Sequence, residues 1–269
     1  MSLPPAASSP PSLIAMVHVG ALPGTPAASE PVVNLAARAA EEARQLEDAG
    51  FDGVMLENMH DVPYLARDVG PEIIAGMTAV AAAVRAAVRV PVGVQVLAGA
   101  NRAAMAVAQA AGLSFIRAEG FAYAAVADEG LLAEADAGPL LRYRRMIDAG
   151  DVAILADVRK KHSSHAITAD LDLAECVRGA VFAGADGLIV TGTATGVATD
   201  PADVRDAARA AGDRGVWVGS GATAASAAAL LAAGARGIIV GTAVKQDGHW
   251  QRPVDPVRAR AFVQAARGG

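Results

Sequence analysis

The C-terminal third of the chain contains Val216-Trp217-Val218-Gly219-Ser220-Gly221 and Gly237-Ile238-Ile239-Val240-Gly241-Thr242. In both segments a short apolar run leads directly into glycine, which is typical of a buried strand that ends where a helix begins. Backbone N–H groups at such a turn can bind an anion. In a barrel of eight parallel strands, the loops after the last two strands form a recurrent phosphate pocket. The residues predicted to contact the phosphate are Gly219, Ser220, Gly221, Gly241 and Thr242. The alternative is an ordinary pair of turns in which glycine supplies a positive φ.

The dipeptide Ala-Gly closes alanine-rich stretches along the whole chain, and an apolar run follows it within four residues. This pattern is typical of a helix that ends on a C-cap glycine and turns into a strand. It occurs at residues 49–50, 111–112, 149–150, 183–184, 211–212 and 233–234. Two further strands, at the start of the chain and after Pro91, lack this signal. The predicted strands are therefore 13–17, 53–56, 92–96, 115–118, 152–156, 187–190, 216–218 and 238–240, and a helix is predicted over 75–88.

Short continuous apolar strands that alternate with helices predict a parallel sheet buried on both faces. An open dinucleotide-binding sheet would place Gly-x-Gly-x-x-Gly after its first strand. This chain instead has His18-Val19-Gly20-Ala21-Leu22-Pro23-Gly24 at that position. A barrel of this kind also has about the length of the present chain, about 250 residues. We therefore predict an α/β fold, a single (β/α)8 TIM barrel over 13–269, preceded by a disordered N-terminal tail at 1–12.

The composition restricts the partners and the compartment. Hydrophobic residues make up 53% of the chain, but alanine is by far the commonest of them and no run reaches the length of a membrane span, so we predict no integral membrane segment. The net charge of −5 argues against nucleic acid as a partner. The N-terminus lacks the basic and apolar regions of a secretory signal, and Cys176 is the only cysteine. These features predict a cytoplasmic protein without a disulfide.

Polar side chains cluster where the predicted strands end, and in a barrel this rim carries the chemistry. Glu57 and Asp157 follow the second and fifth strands and are predicted to face each other as catalytic acid and base. Lys161 or His162 would supply a cation that separates their pKa values, and both are included as catalytic candidates. The alternative for each carboxylate is a structural hydrogen bond to neighbouring backbone. Lys160 is expected to be a solvated loop charge.

The other rim residues are predicted to bind the substrate. They are His18, Asn58, Gln95, Arg117, Thr191 and Thr193. His18 is in addition a candidate for acid–base work, because it follows the first strand directly. His162 and His165 could bind a divalent metal together with Asp157, but they lack the helical i, i+4 spacing of a zinc-binding motif. We therefore predict no metal site and no cofactor, while a divalent metal stays possible.

Several of these segments, in order along 13–263, together resemble a known family. They are Met16-Val17-His18-Val19-Gly20-Ala21-Leu22-Pro23-Gly24, Gly53-Val54-Met55-Leu56-Glu57-Asn58, Pro91-Val92-Gly93-Val94-Gln95-Val96-Leu97, Ile154-Leu155-Ala156-Asp157-Val158, Lys161-His162, Ile189-Val190-Thr191-Gly192 with Thr195-Gly196, and the two glycine turns. The chain is similar to the BtpA/SgcQ family. This resemblance implies a ribulose-phosphate-binding type of barrel.

The resemblance also implies phosphate contacts from the two glycine turns and rim roles for Glu57, Asn58, Asp157, Lys161 and His162. The chain departs from the family pattern at two strand ends. Gln95 stands where asparagine is expected, and Arg-Ala-Glu replaces Arg-Val-Asn at 117–119. The second departure adds a carboxylate, Glu119, to the rim.

Two functions are compatible with these features. The first is an enzyme that acts on a phosphorylated sugar or nucleotide, by aldol cleavage or isomerisation, or by hydrolysis or transfer at a glycosidic bond. The residues do not choose between these reactions. The resemblance implies the second, a non-catalytic assembly factor for photosystem I biogenesis, since one family member is known as such a factor at thylakoid membranes. Another is encoded among sugar-utilisation genes. We prefer the enzyme, because a scaffold would not need the rim carboxylates and lysine, and a homo-oligomer is possible.

Overall fold

Eight parallel strands close into a barrel in the computed structural model of the chain, which describes residues 10–192 and 199–268. In chain order the strands are β1 (Leu13–His18), β2 (Gly53–Glu57), β3 (Val92–Gln95), β4 (Phe115–Ala118), β5 (Ala125–Ala127), β6 (Gly130–Leu132), β7 (Ala153–Val158), β8 (Ser163–Ser164), β9 (Gly187–Val190), β10 (Gly215–Val218) and β11 (Gly237–Val240). The barrel order is β1-β11-β10-β9-β7-β4-β3-β2, while β5, β6 and β8 form a separate sheet. The predicted TIM barrel and its eight strands are confirmed.

Eight helices alternate with the barrel strands in the described ranges. They are α1 (Val32–Asp48), α2 (Pro71–Ala87), α3 (Asn101–Ala111), α4 (Ala137–Met146), α5 (Leu173–Phe182), α6 (Pro201–Ala211), α7 (Ala224–Ala232) and α8 (Pro256–Arg267). Helix α2 begins four residues before the predicted start at 75 because Gly70 serves as its N-cap and Pro71 occupies the first helical position, where a missing N–H is tolerated. None of the described helices combines the length and apolarity that a bilayer crossing requires.

The Ala-Gly dipeptides end most of the helices as predicted. Gly112 and Gly184 adopt left-handed backbone conformations, at φ 65° and 96°, just after α3 and α5. The dipeptide at 149–150 differs, because α4 already ends at Met146 and Asp148 takes the left-handed conformation, at φ 54°. A non-glycine residue there replaces the expected cap, so the helix boundary predicted from this dipeptide is wrong by several residues.

Alternate residues of each barrel strand point into the barrel and form an apolar inner core. Its buried members are Ile14, Met16, Met55, Phe115, Ala153, Leu155, Ile189, Trp217 and Ile239. Side chains of a strand alternate between its two faces, so the inward series continues two residues further along each strand. That step leads from Met16 to His18, from Met55 to Glu57 and from Phe115 to Arg117. The period of the strand therefore delivers these polar side chains to the C-terminal end of the barrel.

Trp217 fills the N-terminal end of the barrel. Its side chain is 1% exposed, and its indole Nε1 donates to the carbonyl of Pro11 at 2.9 Å. The first residues of three barrel strands, Gly187, Gly215 and Gly237, surround the ring. A Cβ added to any of them would lie 2.6 Å from an atom of Trp217, closer than real Cβ contacts allow. Glycine at these positions therefore makes room for the indole, and the barrel is closed at this end.

A small antiparallel sheet lies outside the barrel and was not predicted. Strand β5 pairs with β6, and it pairs on its other side with β8, which follows β7. The sheet thus joins the loop after β4 to the loop after β7. The turn between β5 and β6, formed by Asp128 and Glu129, extends over the mouth of the barrel and lines the cleft described below.

Candidate functional site

A cleft of about 810 Å³ opens at the C-terminal end of the barrel. Its size is in the range of small-molecule binding sites, about 300–1,000 Å³. Most of the predicted site residues line it, namely His18, Glu57, Gln95, Arg117, Lys161, His162, Gly219, Ser220, Gly221, Gly241 and Thr242. Among the described residues, the lining does not include Asn58, Asp157 or Thr191. Thr193 lies outside the described residues.

The turn after β10 presents backbone amides to the cleft. Within the described part of the chain, the amides of Ser220, Gly221 and Ala222 donate to no protein acceptor. Gly221 is left-handed, at φ 71°, and the turn leads directly into α7, whose N-cap Thr223 forms a capping box with Ser226. Successive free amides at a helix N-terminus form a concave site with a positive potential. The turn is therefore suited to an anion.

Gly219 differs from the expectation for this turn. Its amide donates to the carbonyl of Val190 at 2.8 Å, as part of the barrel sheet, and is not free for an anion. A Cβ at this position would lie 2.3 Å from a side-chain carbon of Ile189. Gly219 therefore contributes space. The same holds for Gly241, where a Cβ would lie 3.1 Å from His18 Nε2.

Lys161 brings a cation to the turn after β10. Its Nζ donates to Ser220 Oγ at 2.9 Å, and its own amide donates to Thr191 Oγ1 at 3.1 Å. Burial, followed by the positive charge of Arg117, lowers the pKa of Lys161 from its ordinary value. Thr191, predicted to bind substrate, therefore serves in the structure to hold the loop that carries Lys161.

Glu57 and His18 form the centre of the cleft. Burial raises the pKa of Glu57 to about 7, although the charge of Arg117 opposes this effect. Burial and then the charge of Lys245 lower the pKa of His18 to about 3, so the imidazole is neutral near pH 7. His18 Nε2 lies 3.8 Å from Glu57 Oε2, and because the imidazole is neutral this approach is not an ion pair.

The hydrogen bond of the His18 ring determines which nitrogen carries the proton. Nδ1 lies 3.0 Å from the carbonyl oxygen of Trp250, which can only accept, so Nδ1 carries the hydrogen. Nε2 then presents its lone pair toward Glu57. A carboxyl group that exchanges a proton near pH 7 thus lies beside a neutral acceptor, an arrangement suited to moving a proton to and from a ligand.

Asp157 does not face Glu57 as an acid–base partner. Its two oxygens accept from Arg117 Nε and Nη2, both at 2.9 Å, in a bidentate ion pair that is almost completely buried. Although burial opposes it, this pair raises the pKa of Arg117 further. Arg117 also donates to the carbonyl of Gly219 at 3.4 Å. Asp157 therefore fixes the guanidinium that lines the cleft, and the predicted pairing of the two carboxylates is replaced by Glu57 with His18.

The Asn58 side chain also forms hydrogen bonds within the protein. Its Nδ2 donates to Asp61 at 2.8 Å, and its Oδ1 accepts from the amide of Leu97 at 2.7 Å. Asp61 in turn accepts from the amide of Leu22 at 2.8 Å. The side chain predicted to bind substrate therefore ties together the loops that follow β1, β2 and β3.

A second polar cluster lies at the ends of β3 and β4. It includes Lys160 and Glu129, which were not predicted from the sequence as site residues. Gln95 Nε2 donates to Glu119 at 2.9 Å, and Lys160 Nζ lies 3.1 Å from Glu119 and 3.7 Å from Glu129. The side chain of Lys160 is 14% exposed, so its expected role as a solvated loop charge is wrong. Left-handed φ values at Arg159 and His162 flank the two lysines of this loop. Lys160 therefore points to the carboxylates, while Lys161 points to Ser220.

The loop after β11 contributes an aromatic side chain, Trp250, to the cleft, which the sequence indicated only weakly. Trp250 lines the cleft, and its ring lies 6.0 Å from the His18 ring and 4.9 Å from the His60 ring.

The His165 side chain, a possible metal ligand from the sequence, contacts backbone. Its Nε2 lies 3.0 Å from the carbonyl oxygen of Lys160. The described residues contain no group of three or more His, Cys, Asp or Glu side chains arranged to hold a metal ion.

Comparison with known proteins identifies the family. The model of the BtpA family matches residues 10–268. The chain belongs to the BtpA family. An uncharacterised mitochondrial protein of Caenorhabditis elegans is 41% identical over 96% of this chain and 93% of its own length. The Photosystem I biogenesis protein BtpA of Synechocystis is 36% identical over 96% of this chain and 88% of its own length. Because the name of the Caenorhabditis elegans relative places that protein in mitochondria, the cytoplasmic location of this chain stays a prediction.

Several solved structures with the same fold are enzymes. The (S)-3-O-geranylgeranylglyceryl phosphate synthase of Thermoplasma acidophilum, solved with its substrate sn-glycerol-1-phosphate, has a TM-score of 0.61 at 16% identity and covers 97% of this chain and 94% of its own. Other structural neighbours include an orotidine 5′-phosphate decarboxylase and an archaeal fructose 1,6-bisphosphate aldolase. At these identities the likeness shows the TIM-barrel fold alone.

Proposed function

We propose that the chain is an enzyme that acts on a phosphorylated sugar or nucleotide in the cleft at the C-terminal end of the barrel. The observation that carries this proposal is the buried Glu57 carboxyl, whose pKa of about 7 suits proton transfer at neutral pH. The same cleft contains three amides that have no acceptor among the residues described by the structure. Burial of such a carboxyl group lowers the stability of the fold at neutral pH, and strongly shifted pKa values of this kind are concentrated at functional sites.

The phosphate would bind at the turn after β10. The amides of Ser220, Gly221 and Ala222 would donate to its oxygens, and Lys161 would supply the positive charge. Gly219 and Gly241 would allow the Ile189 and His18 side chains to approach the backbone of this part of the cleft, and Thr242, which begins a short 3₁₀ turn, also lines the cleft. Structural neighbours whose names contain phosphorylated ligands agree with such a site.

Glu57 would act as the general base or acid, next to the neutral His18 imidazole, whose Nε2 lies 3.8 Å away. Arg117, held by Asp157, and Lys161 would stabilise negative charge that develops on a substrate oxygen. His162 lines the outer part of the cleft beside Lys161 and is retained as an acid–base candidate, and Thr193 as a substrate contact. Asn58 and Thr191 would act through the loops that they hold.

Proton transfer next to a carbonyl, as in an aldol or isomerase reaction, is favoured over glycosidic chemistry. Hydrolysis or transfer at a glycosidic carbon uses two carboxyl groups on either side of the bond. Asp157, the expected second carboxylate, gives both of its oxygens to Arg117. Glu119, a further carboxylate of the cleft, is paired with Gln95 Nε2 and Lys160 Nζ. One carboxyl group with an adjacent cation is sufficient to form and stabilise an enediolate.

The proposal is tested by thermal unfolding of the full chain with inorganic phosphate, sugar phosphates and nucleotides. A ligand that binds only the folded state at a hundredfold excess over its Kd adds about 2.7 kcal/mol to the unfolding free energy, which a melting curve resolves. Ser220→Asp should abolish the shift, because a carboxylate would compete with phosphate for the same amides. Ser29→Asp adds the same charge to an exposed loop residue and should leave the shift intact. The proposal is wrong if no phosphorylated compound raises the melting temperature.

A non-catalytic assembly role is the second candidate. The name of the Synechocystis relative favours it, and so do two large apolar side chains near the mouth, Leu65 and Leu131, which are 58% and 60% exposed. Exposed apolar side chains of this kind are suited to a protein partner. Absence of any ligand-dependent shift, together with loss of partner binding in Leu65→Ser and Leu131→Ser, would favour this role over catalysis.

A further inference from the structure

The cleft has two ends that lie across the barrel from each other. In the closed strand order, β10 and β11 are separated from β3 and β4 by two strands on either side. The proposed anion-binding turn follows β10, whereas Gln95 is the last residue of β3 and Glu119 follows β4. The turn between β5 and β6 adds Asp128 and Glu129 to this second end, which we call the acceptor end.

Two buried oxygen atoms at the acceptor end lack a hydrogen-bond partner among the described residues. They are Gln95 Oε1 and Glu129 Oε2. Gln95 is 1% exposed and donates through Nε2 to Glu119, so its carbonyl oxygen faces away from that carboxylate. Glu129 Oε2 lies 3.7 Å from Lys160 Nζ, too far for a hydrogen bond. Both residues line the cleft, and a buried acceptor without a donor is unfavourable. A donor from the ligand would satisfy each of them.

The charges at the acceptor end oppose a second anion. Asp128, Glu119 and Glu129 are acidic, and Lys160 is the cation paired with the last two. A phosphate or carboxylate placed here would meet like charge. Lys161, the next residue, points away to Ser220. Lys161 thus places its positive charge at the end of the cleft with the turn after β10, whereas at the acceptor end the single charge of Lys160 faces three carboxylates.

We propose that the acceptor end binds hydroxyl or amino groups of the substrate, and that the substrate is therefore a phosphomonoester with a polyhydroxylated or amino-bearing body and a single anionic end. Bisphosphates and phosphorylated compounds with an apolar tail are disfavoured at the acceptor end, the former by charge and the latter by the unpaired acceptors. This inference rests on the proposed phosphate site at the opposite end.

Isothermal titration of the full chain with four probes tests it: inorganic phosphate, glucose 6-phosphate, glucosamine 6-phosphate and fructose 1,6-bisphosphate. We expect the two monophosphates to bind at least about tenfold more tightly than inorganic phosphate, since they supply donors to the unpaired acceptors. The bisphosphate should bind about tenfold more weakly than glucose 6-phosphate. A preference for glucosamine 6-phosphate would identify an amino group, and a preference for glucose 6-phosphate would identify hydroxyls.

Glu129→Gln removes one charge from the acceptor end with little change of shape. It should reduce the ratio of the fructose 1,6-bisphosphate Kd to the glucose 6-phosphate Kd by about tenfold. The Kd of inorganic phosphate should not change. Glu134→Gln, at an exposed position beyond β6, is the matched control. It should change neither the ratio of the two sugar phosphate Kd values nor the Kd of inorganic phosphate. Equal binding of mono- and bisphosphate by the unmodified chain would overturn the inference while the phosphate site stands. Failure of all four probes to bind would overturn both.

Discussion

Glu57 is unfavourable for the stability of the fold at neutral pH. Its pKa rises from an ordinary 4.5 to about 7 on folding because burial disfavours the charged form. The folded state therefore holds this proton more tightly than the unfolded state. Stability is unaffected by this group below pH 4.5, falls as the pH rises toward 7, and is lowered by about 3 kcal/mol above that value.

Glu57→Gln should accordingly stabilise the chain at high pH. The gain in melting temperature over the unmodified protein should be small at pH 5 and should grow to several degrees at pH 8, because glutamine carries no charge to bury. Glu41→Gln, at an exposed site on α1, should show no such growth. Melting curves at several pH values measure both. Measured with a substrate found in the ligand screen, kcat of the Glu57→Gln variant should be at least about a hundredfold lower than that of the unmodified chain. A gain that is independent of pH would contradict the assigned pKa.

Arg117 and Asp157 should depend on each other for stability. Asp157→Ala leaves the Arg117 guanidinium buried without its carboxylate, which costs about 3–5 kcal/mol. The double variant Arg117→Met with Asp157→Leu removes both charges and should recover most of that loss. Urea unfolding of the single and double variants gives the comparison. If the double variant is no more stable than Asp157→Ala, the pair is not the source of the cost.

At the scale of elements, we expect the sheet of β5, β6 and β8 to depend on Lys160. This lysine pairs with Glu119, which follows β4, and with Glu129 in the β5–β6 turn. Lys160→Gln should leave these carboxylates to repel each other and open the sheet locally. Hydrogen exchange over 125–132 should become about tenfold faster, while exchange in β4 and β7 stays unchanged. Arg209→Gln, at an exposed site on α6, should alter neither region. Uniform exchange changes in all strands would mean that Lys160 supports the barrel as a whole.

The barrel strands are predictable from the sequence because each is a continuous apolar run, and most follow a glycine that ends a helix. Strands β5 and β6 are not predictable in this way, since each has three residues and no alternating pattern. The rim residues are predictable to the extent that they continue the inward period of a strand, as His18 and Glu57 do. The direction of Lys160 depends on left-handed backbone at Arg159 and His162, a conformation that only a few per cent of non-glycine residues adopt.

At the scale of the whole molecule, one side chain closes the N-terminal end of the barrel. Trp217→Ala should leave a cavity ringed by glycines that cannot fill it, at a cost of about 3–5 kcal/mol. Trp250→Ala, on the loop at the opposite end, should cost less than about 1 kcal/mol. Chemical denaturation of the two variants gives both values. A cost for Trp250→Ala as large as that for Trp217→Ala would show that the mouth contributes equally to global stability.

The positions of these two residues also determine how the molecule fluoresces. The chain has two tryptophans, one sealed in the apolar end of the barrel and one at the edge of the cleft. Trp217 should emit at short wavelength and remain shielded from aqueous quenchers. Trp250, beside the His18 and His60 rings, is the emitter that a ligand would reach. A Trp217→Phe chain would therefore carry a single intrinsic reporter of cleft occupancy, and ligand binding could be followed by emission without any added dye.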